Sequence, residues 1–191
     1  MNVLLASPDF ARAHELDKLL GKFLGAGLRP LVLGGYLRDR VLGLEPRDID
    51  VFVHADRNAV MGLFGMPVTH PMDGDYDGSG GMEWPRLRRN IAFEVMTFGV
   101  SGYAQPVQVM ATADPFSPAD LVRRGDFGVN QIAYDGRLVY RTQAFDNDMA
   151  HRQLVMRHNH TPRPCRQRRT EDLAEHLGLA GFNLRHRLFA K

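Results

Sequence analysis

The stretch LVLGGYLRDRVLGLEPRDIDVFV, residues 31–53, decides the fold of this chain. It opens on a short apolar run that favours a β-strand, and a Gly-Gly pair that favours a tight turn follows. A segment with helical spacing of its apolar residues comes next, and Gly43 is placed to end that helix. The stretch closes on strand formers around the carboxylates Asp48 and Asp50. We therefore predict a strand, a glycine turn, a helix and a second strand.

Asp48 and Asp50 are the candidate metal ligands. Side chains alternate between the two faces of a strand, so these carboxylates point to the same face, about 6–7 Å apart along the backbone. Two carboxylates at this spacing repel each other, and a divalent cation that prefers oxygen ligands removes the repulsion. The pattern predicts a site for Mg2+ or Mn2+ that serves phosphoryl transfer.

The glycine turn is the candidate phosphate site. Gly34 and Gly35 allow the backbone to approach a ligand closely. The helix after them offers free N–H groups and the positive end of its dipole. Arg38, in the first turn of that helix, adds a guanidinium that can bind a phosphate through two hydrogen bonds. We expect these three residues to bind a nucleotide.

The order of these features resembles one known family. Gly-Gly, Arg-Asp, a Gly after a short helix, and Asp-x-Asp on a strand form the signature of the head domain of tRNA CCA-adding enzymes and bacterial poly(A) polymerases, within the DNA polymerase beta nucleotidyltransferase superfamily. The matching positions are Gly34, Gly35, Arg38, Asp39, Gly43, Arg47, Asp48 and Asp50. The resemblance covers about residues 8–150 and implies an α+β fold, a small mixed β-sheet flanked by helices.

Residues 121–135 resemble the family's second signature in part. Asp126 and Asn130 match positions that lie near the sugar and triphosphate in that family, and Arg124 is a candidate phosphate contact. The alternative is that Asp126 caps a helix, which is compatible with nucleotide binding. The chain departs from the signature by one extra glycine and by two residues that replace Thr and Ala: Gly125, Gly128 and Gln131.

Glu94 is the candidate third carboxylate. It is a charge in the largely apolar run 91–98, which predicts a strand and resembles a Glu-Val-Ala-Thr-like strand of the family. The superfamily commonly adds a carboxylate from a neighbouring strand, so the resemblance implies that Glu94 joins Asp48 and Asp50 in catalysis and in metal binding. The alternative is an ordinary edge position. Gly99 stands where this strand often ends in Arg, which removes one expected substrate contact.

Composition sets the broad class of the protein. Hydrophobic residues make up 44% and charged residues 24% of the 191 residues, as in ordinary soluble globular chains. The lone Cys165 excludes an internal disulfide and a four-cysteine zinc site. No apolar stretch reaches the length of a membrane span, and the N-terminus lacks the pattern of a signal peptide. We therefore expect a cytoplasmic protein without a membrane partner.

Basic residues are concentrated at the C-terminal end. Residues 151–191 hold nine Lys or Arg against three Asp or Glu, about +6, which leaves 15 basic against 19 acidic residues before them, about −4. This asymmetry predicts a head domain at 1–150 and a short basic helical extension at 151–191 that contacts an RNA acceptor. The alternative is a solvated basic face or a partly disordered tail.

Periodicity and turn residues predict the remaining elements. We expect helices at 8–24, with Ser7 as its cap, and at 58–64, 145–156 and 170–177, a helix that begins at Pro118 after the cap Ser117, and strands at 107–111 and 138–140. Residues 67–85 are rich in Gly, Pro and Asp and predict a loop near the substrate cleft. Asp73, Asp75 and Asp77 leave a calcium site as an alternative there.

The C-terminal segment departs from the resembling family. In CCA-adding enzymes a Glu-Asp-x-x-Arg motif after the head selects the incoming base. Glu171 and Asp172 begin a similar pattern, but Glu175 stands in the Arg position, so base selection is unsupported. The family's later helical domains have no counterpart in this sequence, which favours a minimal nucleotidyltransferase that resembles those encoded by bacteriophages.

The resemblance implies a reaction. An NMP would pass from an NTP to an acceptor hydroxyl, by family default at the 3′ end of a tRNA-like RNA, with release of pyrophosphate. Three alternatives stay open: a minimal nucleotidyltransferase that acts on a protein or small molecule, a non-catalytic nucleotide- or RNA-binding module, and a metal-dependent phosphohydrolase. The Asp48–Asp50 pair argues against the module, because two close carboxylates are costly to hold without a cation.

Overall fold

The computed structural model describes residues 1–5, 14–68, 94–157 and 164–184. The strands in these ranges are β1 (Asn2–Leu5), β2 (Pro30–Leu33), β3 (Ile49–His54), β4 (Glu94–Phe98), β5 (Val107–Thr112), β6 (Ile132–Tyr134), β7 (Leu138–Arg141), β8 (Gln153–Leu154) and β9 (Asn183–Leu184). The helices are α1 (Asp17–Gly25), α2 (Gly35–Leu42), α3 (Arg57–Phe64), α4 (Pro118–Val122), α5 (Gln143–His151) and α6 (Pro164–Gly178), with a 3₁₀ turn at Gly128–Asn130. None of these helices is long and apolar enough to cross a membrane.

Seven of the described strands form one mixed sheet in the order β1-β7-β6-β2-β3-β5-β4. β3 and β5 run parallel, and the other neighbouring pairs are antiparallel. The unit predicted from residues 31–53 is confirmed: β2, α2 and β3 follow one another, and the two strands pair near the centre of the sheet. The predicted α+β class with a mixed sheet is confirmed as well.

Apolar side chains cover both faces of the sheet. Ile49, Val51 and Val53 of β3 lie on one face, in a core to which α1, α2 and α3 contribute buried side chains. Phe52 lies on the other face, in a smaller core with residues of β2, β5 and α4. The alternation predicted for β3 is therefore present, and it leaves Asp50 on the face of Phe52.

The first helix begins later than its periodicity predicts. α1 starts at Asp17, because Glu15 before it adopts a positive φ of 57°, a conformation that a helix cannot contain. The Glu15 carboxylate forms an ion pair with Arg40 at 2.8 Å, which ties this turn to α2. The predicted helix over 8–24 is thus wrong at residues 14–16. Its expected cap Ser7 lies outside the described residues, as do Asp73, Asp75 and Asp77.

Two helices in the second half also differ from the prediction. α5 ends at His151 rather than at residue 156, because Arg152 adopts a left-handed conformation and the short strand β8 follows. α6 begins at Pro164 and ends at Gly178, so it is longer than the helix predicted at 170–177. Ser117 precedes α4 as expected but makes no capping hydrogen bond through its side chain.

The described part of the C-terminal segment packs against the head. Leu154, Leu177 and Phe182 form a third core with Phe127 and Val129. The main chain adds a hydrogen bond of 2.7 Å from Arg157 N to Asp126 O. A boundary at residue 150 therefore does not separate two independently packed units in this part of the chain.

Candidate active site

The pairing register of the central strands brings the glycine turn to the two aspartates. Leu33, the last residue of β2, pairs with Asp50 of β3. Gly34 follows Leu33 directly, and Asp48 lies just before β3, so the turn and both carboxylates meet at the same end of this strand pair. Both aspartates are half-buried, and Gln108 of β5 flanks Asp50 on its other side. The site thus combines a backbone turn with two partly accessible carboxylates.

Gly34 has a conformation that only glycine adopts readily. Its φ is 60° and its ψ is −110°, and it precedes the first residue of α2. Its N–H donates to Ile132 O at 2.8 Å, which fastens the turn to β6. A Cβ at this position would lie 3.3 Å from Asn130 O. The glycine therefore lets the residue 130 backbone approach the start of α2.

Arg38 is buried beneath the turn rather than exposed to solvent. It is only 5% exposed. Its Nε donates to Asp39 Oδ1 at 2.7 Å, its Nη2 lies 2.6 Å from the same oxygen, and its Nη1 donates to Asn130 Oδ1. Burial lowers the pKa of Arg38, and the negative charges of Asp39, Asp48 and Asp126 oppose that effect. The guanidinium is thus directed at protein groups. That it binds a phosphate stays a prediction.

Asp126 and Asn130 lie together on the loop next to Arg38. Asn130 Nδ2 donates to Asp126 Oδ1 at 3.2 Å, and Phe127 N donates to the same oxygen at 3.1 Å. Asp126 Oδ1 therefore holds the segment that leads into the turn Gly128–Asn130, but Asp126 does not cap that turn, because Phe127 is its N-cap residue and no side-chain capping hydrogen bond is present. The structure brings both predicted residues to Arg38, in one hydrogen-bonded group.

Gln131 fixes the turn that carries Arg124. Its Nε2 donates to the carbonyl oxygens of Arg123, at 3.2 Å, and of Gly125, at 2.9 Å, the residues on either side of Arg124. Its Oε1 accepts from Thr142 Oγ1 at 2.7 Å. Burial lowers the pKa of Arg124, with Asp120 opposing the shift. Gln131 stands where the resembling family has Ala, and its side chain is hydrogen-bonded to the carbonyl oxygen of the extra Gly125.

Replacing Gln131 with alanine is expected to lower the free energy of unfolding by about 2–3 kcal/mol, since three hydrogen bonds of about 1 kcal/mol each are lost at a buried site. Gln131 is 5% exposed, so water replaces those bonds poorly. Gln143→Ala is the matched control, because Gln143 is exposed and bonds only to Asn147 among the contacts described for it. Urea unfolding of both variants measures the difference, and equal stabilities would contradict the role of Gln131.

Glu94 does not join the two aspartates. Glu94 pairs with Ala111 of β5, and Ala111 pairs with Val53 of β3. Residues in register on neighbouring strands share a face, so Glu94 lies on the face of Val53, opposite to Asp50. Glu94 is level with Val53, three residues beyond Asp50, and its strand β4 is two strands away from β3. By strand geometry it therefore lies about 14 Å from Asp50.

The expectation that Glu94 completes the catalytic and metal site is therefore wrong, and the edge position is its actual place. β4 is an edge strand, and the Glu94 side chain is 44% exposed. Its Oε1 accepts a hydrogen bond of 3.0 Å from Arg57 Nη1 on α3. The sequence could not show this, because the face that Glu94 occupies depends on the register between β4 and β5.

The remaining pair of aspartates fits a hard divalent cation. Within the described ranges, no group of three or more His, Cys, Asp or Glu side chains is placed to hold a metal ion. Mg2+ does not need such a group, because it binds through one or two carboxylates together with substrate phosphates and water. Asp48 and Asp50 supply two carboxylates beside a turn that suits a phosphate. The donor set therefore fits Mg2+ bound together with a nucleotide.

Two residues that support the site received no role from the sequence. In the sequence, Asp39 is part of the Arg-Asp motif but has no assigned role. Its role follows from the burial of Arg38, because a buried arginine requires a carboxylate partner. His176 Nε2 lies 3.0 Å from Asp39 Oδ2, and it comes from α6, far along the chain. No local pattern could have indicated His176, since its role follows from tertiary packing.

Solved structures of CCA-adding enzymes share this fold. The Thermotoga maritima enzyme complexed with tRNA superimposes with a TM-score of 0.55 at 16% identity, over 95% of this chain and 40% of that chain. The Bacillus stearothermophilus enzyme in complex with CTP gives 0.53 at 17% identity, over 95% and 42%. A complex of a CCA-adding enzyme with ATP gives 0.53 at 19% identity, over 83% and 38%. The chain spans about two fifths of the length of these enzymes.

The family model of the poly(A) polymerase head domain matches residues 31–155, which is well over half of the chain. No curated protein matches the chain. The matched range contains the glycine turn, Arg38, both aspartates and the Asp126–Asn130 loop, whereas His176 lies outside it. With its nucleotidyltransferase fold, this chain belongs to the poly(A) polymerase head-domain family.

Proposed function

We propose that this protein is a metal-dependent nucleotidyltransferase that transfers an NMP from an NTP to an acceptor hydroxyl, with the 3′ end of an RNA as the acceptor. The observation that supports this most directly is the pairing of Leu33 with Asp50, which sets the Gly34 turn beside Asp48 and Asp50. A nucleoside triphosphate with its cation requires a turn that can bind a phosphate and carboxylates that can hold the cation. Both lie at one end of this strand pair.

The reaction forms one bond and breaks one. The acceptor hydroxyl oxygen attacks the α-phosphorus of the NTP and forms a new phosphoester bond, the bond between the α-phosphorus and the bridging oxygen breaks, and pyrophosphate leaves. The hydroxyl proton passes to a base or to water. Little covalent chemistry is required of the protein in such a transfer, so catalysis rests on positioning and on charge stabilisation.

Asp48 and Asp50 would hold Mg2+ or Mn2+ at the triphosphate. When bound, the cation would neutralise charge on the phosphate oxygens and orient the attacking and leaving groups. The turn at Gly34 and Gly35 would receive a phosphate through backbone N–H groups at the start of α2. Asp126 and Asn130 would contact the sugar or triphosphate, and Arg124 a phosphate.

An RNA acceptor agrees with the charge of the chain and with its structural relatives. Residues 151–191 carry nine Lys or Arg against three Asp or Glu, which favours a polyanionic partner. One enzyme with the same fold was solved in complex with tRNA, and others with CTP or ATP. We propose that the basic segment contacts the backbone of the acceptor RNA.

The test is a transfer assay with each α-labelled NTP, Mg2+ or Mn2+, and total RNA. We expect metal-dependent label in RNA, and the nucleotide that gives it identifies the donor. Saturating Mg–NTP should also stabilise the folded protein, by about 2.7 kcal/mol at a ligand concentration of 100 Kd. A thermal melt with and without EDTA measures this stabilisation.

The other outcomes of this assay separate the competing functions. Label in protein would replace the RNA acceptor by a protein acceptor and keep the transfer chemistry. Hydrolysis of the NTP in the absence of any acceptor would indicate a phosphohydrolase. Metal-dependent NTP binding without turnover on any acceptor would overturn the enzymatic proposal and leave a nucleotide-binding module.

A further inference from the structure

We propose that His176, on α6, is a positioning residue of the nucleotide site: through Asp39 it orients Arg38, and through Arg38 it fixes the pair Asn130–Asp126. The consequence for nucleotide binding rests on the function proposed above. The orientation of Arg38 itself does not, and it can be measured without a nucleotide. The C-terminal segment would then be part of the site rather than an appendage that only contacts RNA.

The first link joins α6 to α2. His176 Nε2 lies 3.0 Å from Asp39 Oδ2, and the two side chains are 13% and 4% exposed. The approach lies outside the angular range of a hydrogen bond, so we treat it as an electrostatic contact. Since the contact is largely shielded from water, it is screened much less than a surface ion pair.

The second link joins Asp39 to Arg38. Asp39 Oδ1 accepts from Arg38 Nε at 2.7 Å, and Arg38 Nη2 lies 2.6 Å from the same oxygen. The two carboxylate oxygens therefore have different partners, the guanidinium on one side and the imidazole of His176 on the other. A buried carboxylate held from both sides has one preferred orientation, and it transmits that orientation to Arg38.

The third link reaches the candidate nucleotide-binding residues. Arg38 Nη1 donates to Asn130 Oδ1, and Asn130 Nδ2 donates to Asp126 Oδ1 at 3.2 Å. The main chain at Asn130 approaches the turn at Gly34, where a Cβ would lie 3.3 Å from its carbonyl oxygen. Arg38 thus connects the end of α6 to both the glycine turn and the Asp126 loop.

Packing of α6 places His176 in this position. Leu177, the next residue, is fully buried and shares a core with Phe127 and Val129. Phe127 follows Asp126, and Val129 precedes Asn130, so α6 packs on the loop that holds both polar residues. The contacts from His176 through Asp39 and Arg38 to Asn130 and Asp126, which we call the relay, end on the same loop. The apolar contact and the His176–Asp39 contact therefore act on one loop from two sides.

Loss of the imidazole should disturb the relay in a defined way. In His176→Ala the Asp39 Oδ2 atom loses its described side-chain neighbour at a buried position, which is unfavourable for a carboxylate. The carboxylate would rotate or take up water, and the Arg38 guanidinium would follow. In His176→Gln an amide nitrogen can occupy the position of Nε2, so this variant should restore the orientation.

The first measurement reports on Arg38 without a nucleotide. The full chain is labelled with 15N, and the Nε–Hε signal of Arg38 is assigned by its absence in Arg38→Lys. We expect this signal to be protected from solvent exchange in the original chain, at least tenfold less protected in His176→Ala, and recovered in His176→Gln. His151→Ala is the matched control, since His151 is exposed on α5 and contacts the carbonyl of Asn147.

The second measurement is the Kd for Mg-ATP and for Mg-CTP, by titration calorimetry on the same variants. We expect Kd to rise about tenfold in His176→Ala, which is the lower end of the loss found when a residue that orients a metal ligand is removed. His176→Gln should stay within threefold, and His151→Ala should be unchanged. Thermal melts accompany both measurements, and they show whether each variant is folded.

Each outcome decides the proposal. An unchanged Arg38 signal in a folded His176→Ala variant overturns the relay. A changed signal with unchanged nucleotide affinity overturns the role in nucleotide binding. If His176→Ala is unfolded, His176→Leu takes its place, since leucine fills the space without a polar atom, and an unchanged Arg38 signal in that folded variant overturns the relay. If the original chain binds neither nucleotide, the proposed function fails, while a changed Arg38 signal still supports the orientation of Arg38 by His176.

Discussion

Replacing Asp48 with asparagine is expected to reduce nucleotide transfer about a thousandfold, since a metal held at the reacting phosphate contributes several kcal/mol of transition-state stabilisation. Asparagine keeps the size of the side chain but removes the negative charge that would bind the cation. Because Asp48 is half-buried and lies outside the regular strand, the fold should be retained. Initial rates with the labelled NTP measure the effect, and thermal melts confirm the fold.

Glu94→Gln is the matched control for this experiment. It removes a carboxylate from the same sheet, but on the opposite face, at an exposed position paired with Arg57. The exposed ion pair contributes at most about 1 kcal/mol to stability, and its loss should leave transfer nearly unchanged. Equal losses in the two variants would contradict the position that we give to the site. Full activity in a folded Asp48→Asn protein would overturn the metal-dependent mechanism.

Replacing Gly128 with alanine is expected to lower the free energy of unfolding by about 3 kcal/mol or more, which is the upper range for overpacking. A Cβ at Gly128 would lie 2.2 Å from Asp148 Oδ2, 2.8 Å from Asp148 Cγ and 2.9 Å from Ala144 O. Ala144 O is backbone of α5 and cannot rotate away. Asp148 is fully buried and held by Arg157 and Gln153, so its carboxylate cannot yield without breaking those contacts.

Gly62→Ala is the matched control for the glycine change. Gly62 lies inside α3, and a Cβ there would meet nothing within 4 Å. This variant should be unchanged or more stable by about 0.5–1 kcal/mol, because alanine loses less conformational entropy in a helix. Urea unfolding compares the two variants. If Gly128→Ala were as stable as Gly62→Ala, α5 would not pack against the Asp126–Asn130 loop as described.

The Gly128 contact also explains a departure from the resembling family. The sequence shows only that Gly128 stands where the resembling family has threonine. In the structure, the buried Asp148 and the backbone of α5 occupy the space of that side chain. Gly125 has a related cause, since a Cβ there would lie 3.1 Å from Asn130 O and from Gln131 Cγ. Both glycines are required by close approach, which a single sequence does not reveal.

Local chemistry was sufficient to predict the centre of the fold. Strand formers, a Gly-Gly pair and a helix-ending glycine specify β2, α2 and β3 through short-range preferences, and Gly43 adopts the left-handed conformation expected of a helix end. The alternation of side chains along β3 likewise follows from strand geometry alone, so it was predictable that Asp50 faces away from Ile49, Val51 and Val53. Residues 49–53 therefore behave as their periodicity indicates.

The predicted helix ends that are wrong are those that contacts with distant residues determine. α1 begins only at Asp17, because Glu15 turns toward Arg40. α5 stops at His151, because Arg152 turns the chain into β8, where Gln153 pairs with Asn183. Helical periodicity continues through such places and so overestimates the helix. Local spacing carries no information about a partner that lies elsewhere in the chain.

The sequence by itself determined the family, the central strand-turn-helix-strand unit and the pair of aspartates, because each depends on neighbouring residues and on the period of a strand or helix. Only the tertiary structure decided which face Glu94 occupies, which groups surround Arg38 and that His176 reaches Asp39. These depend on strand register and on the packing of α6, and therefore on contacts between residues that are far apart in the chain.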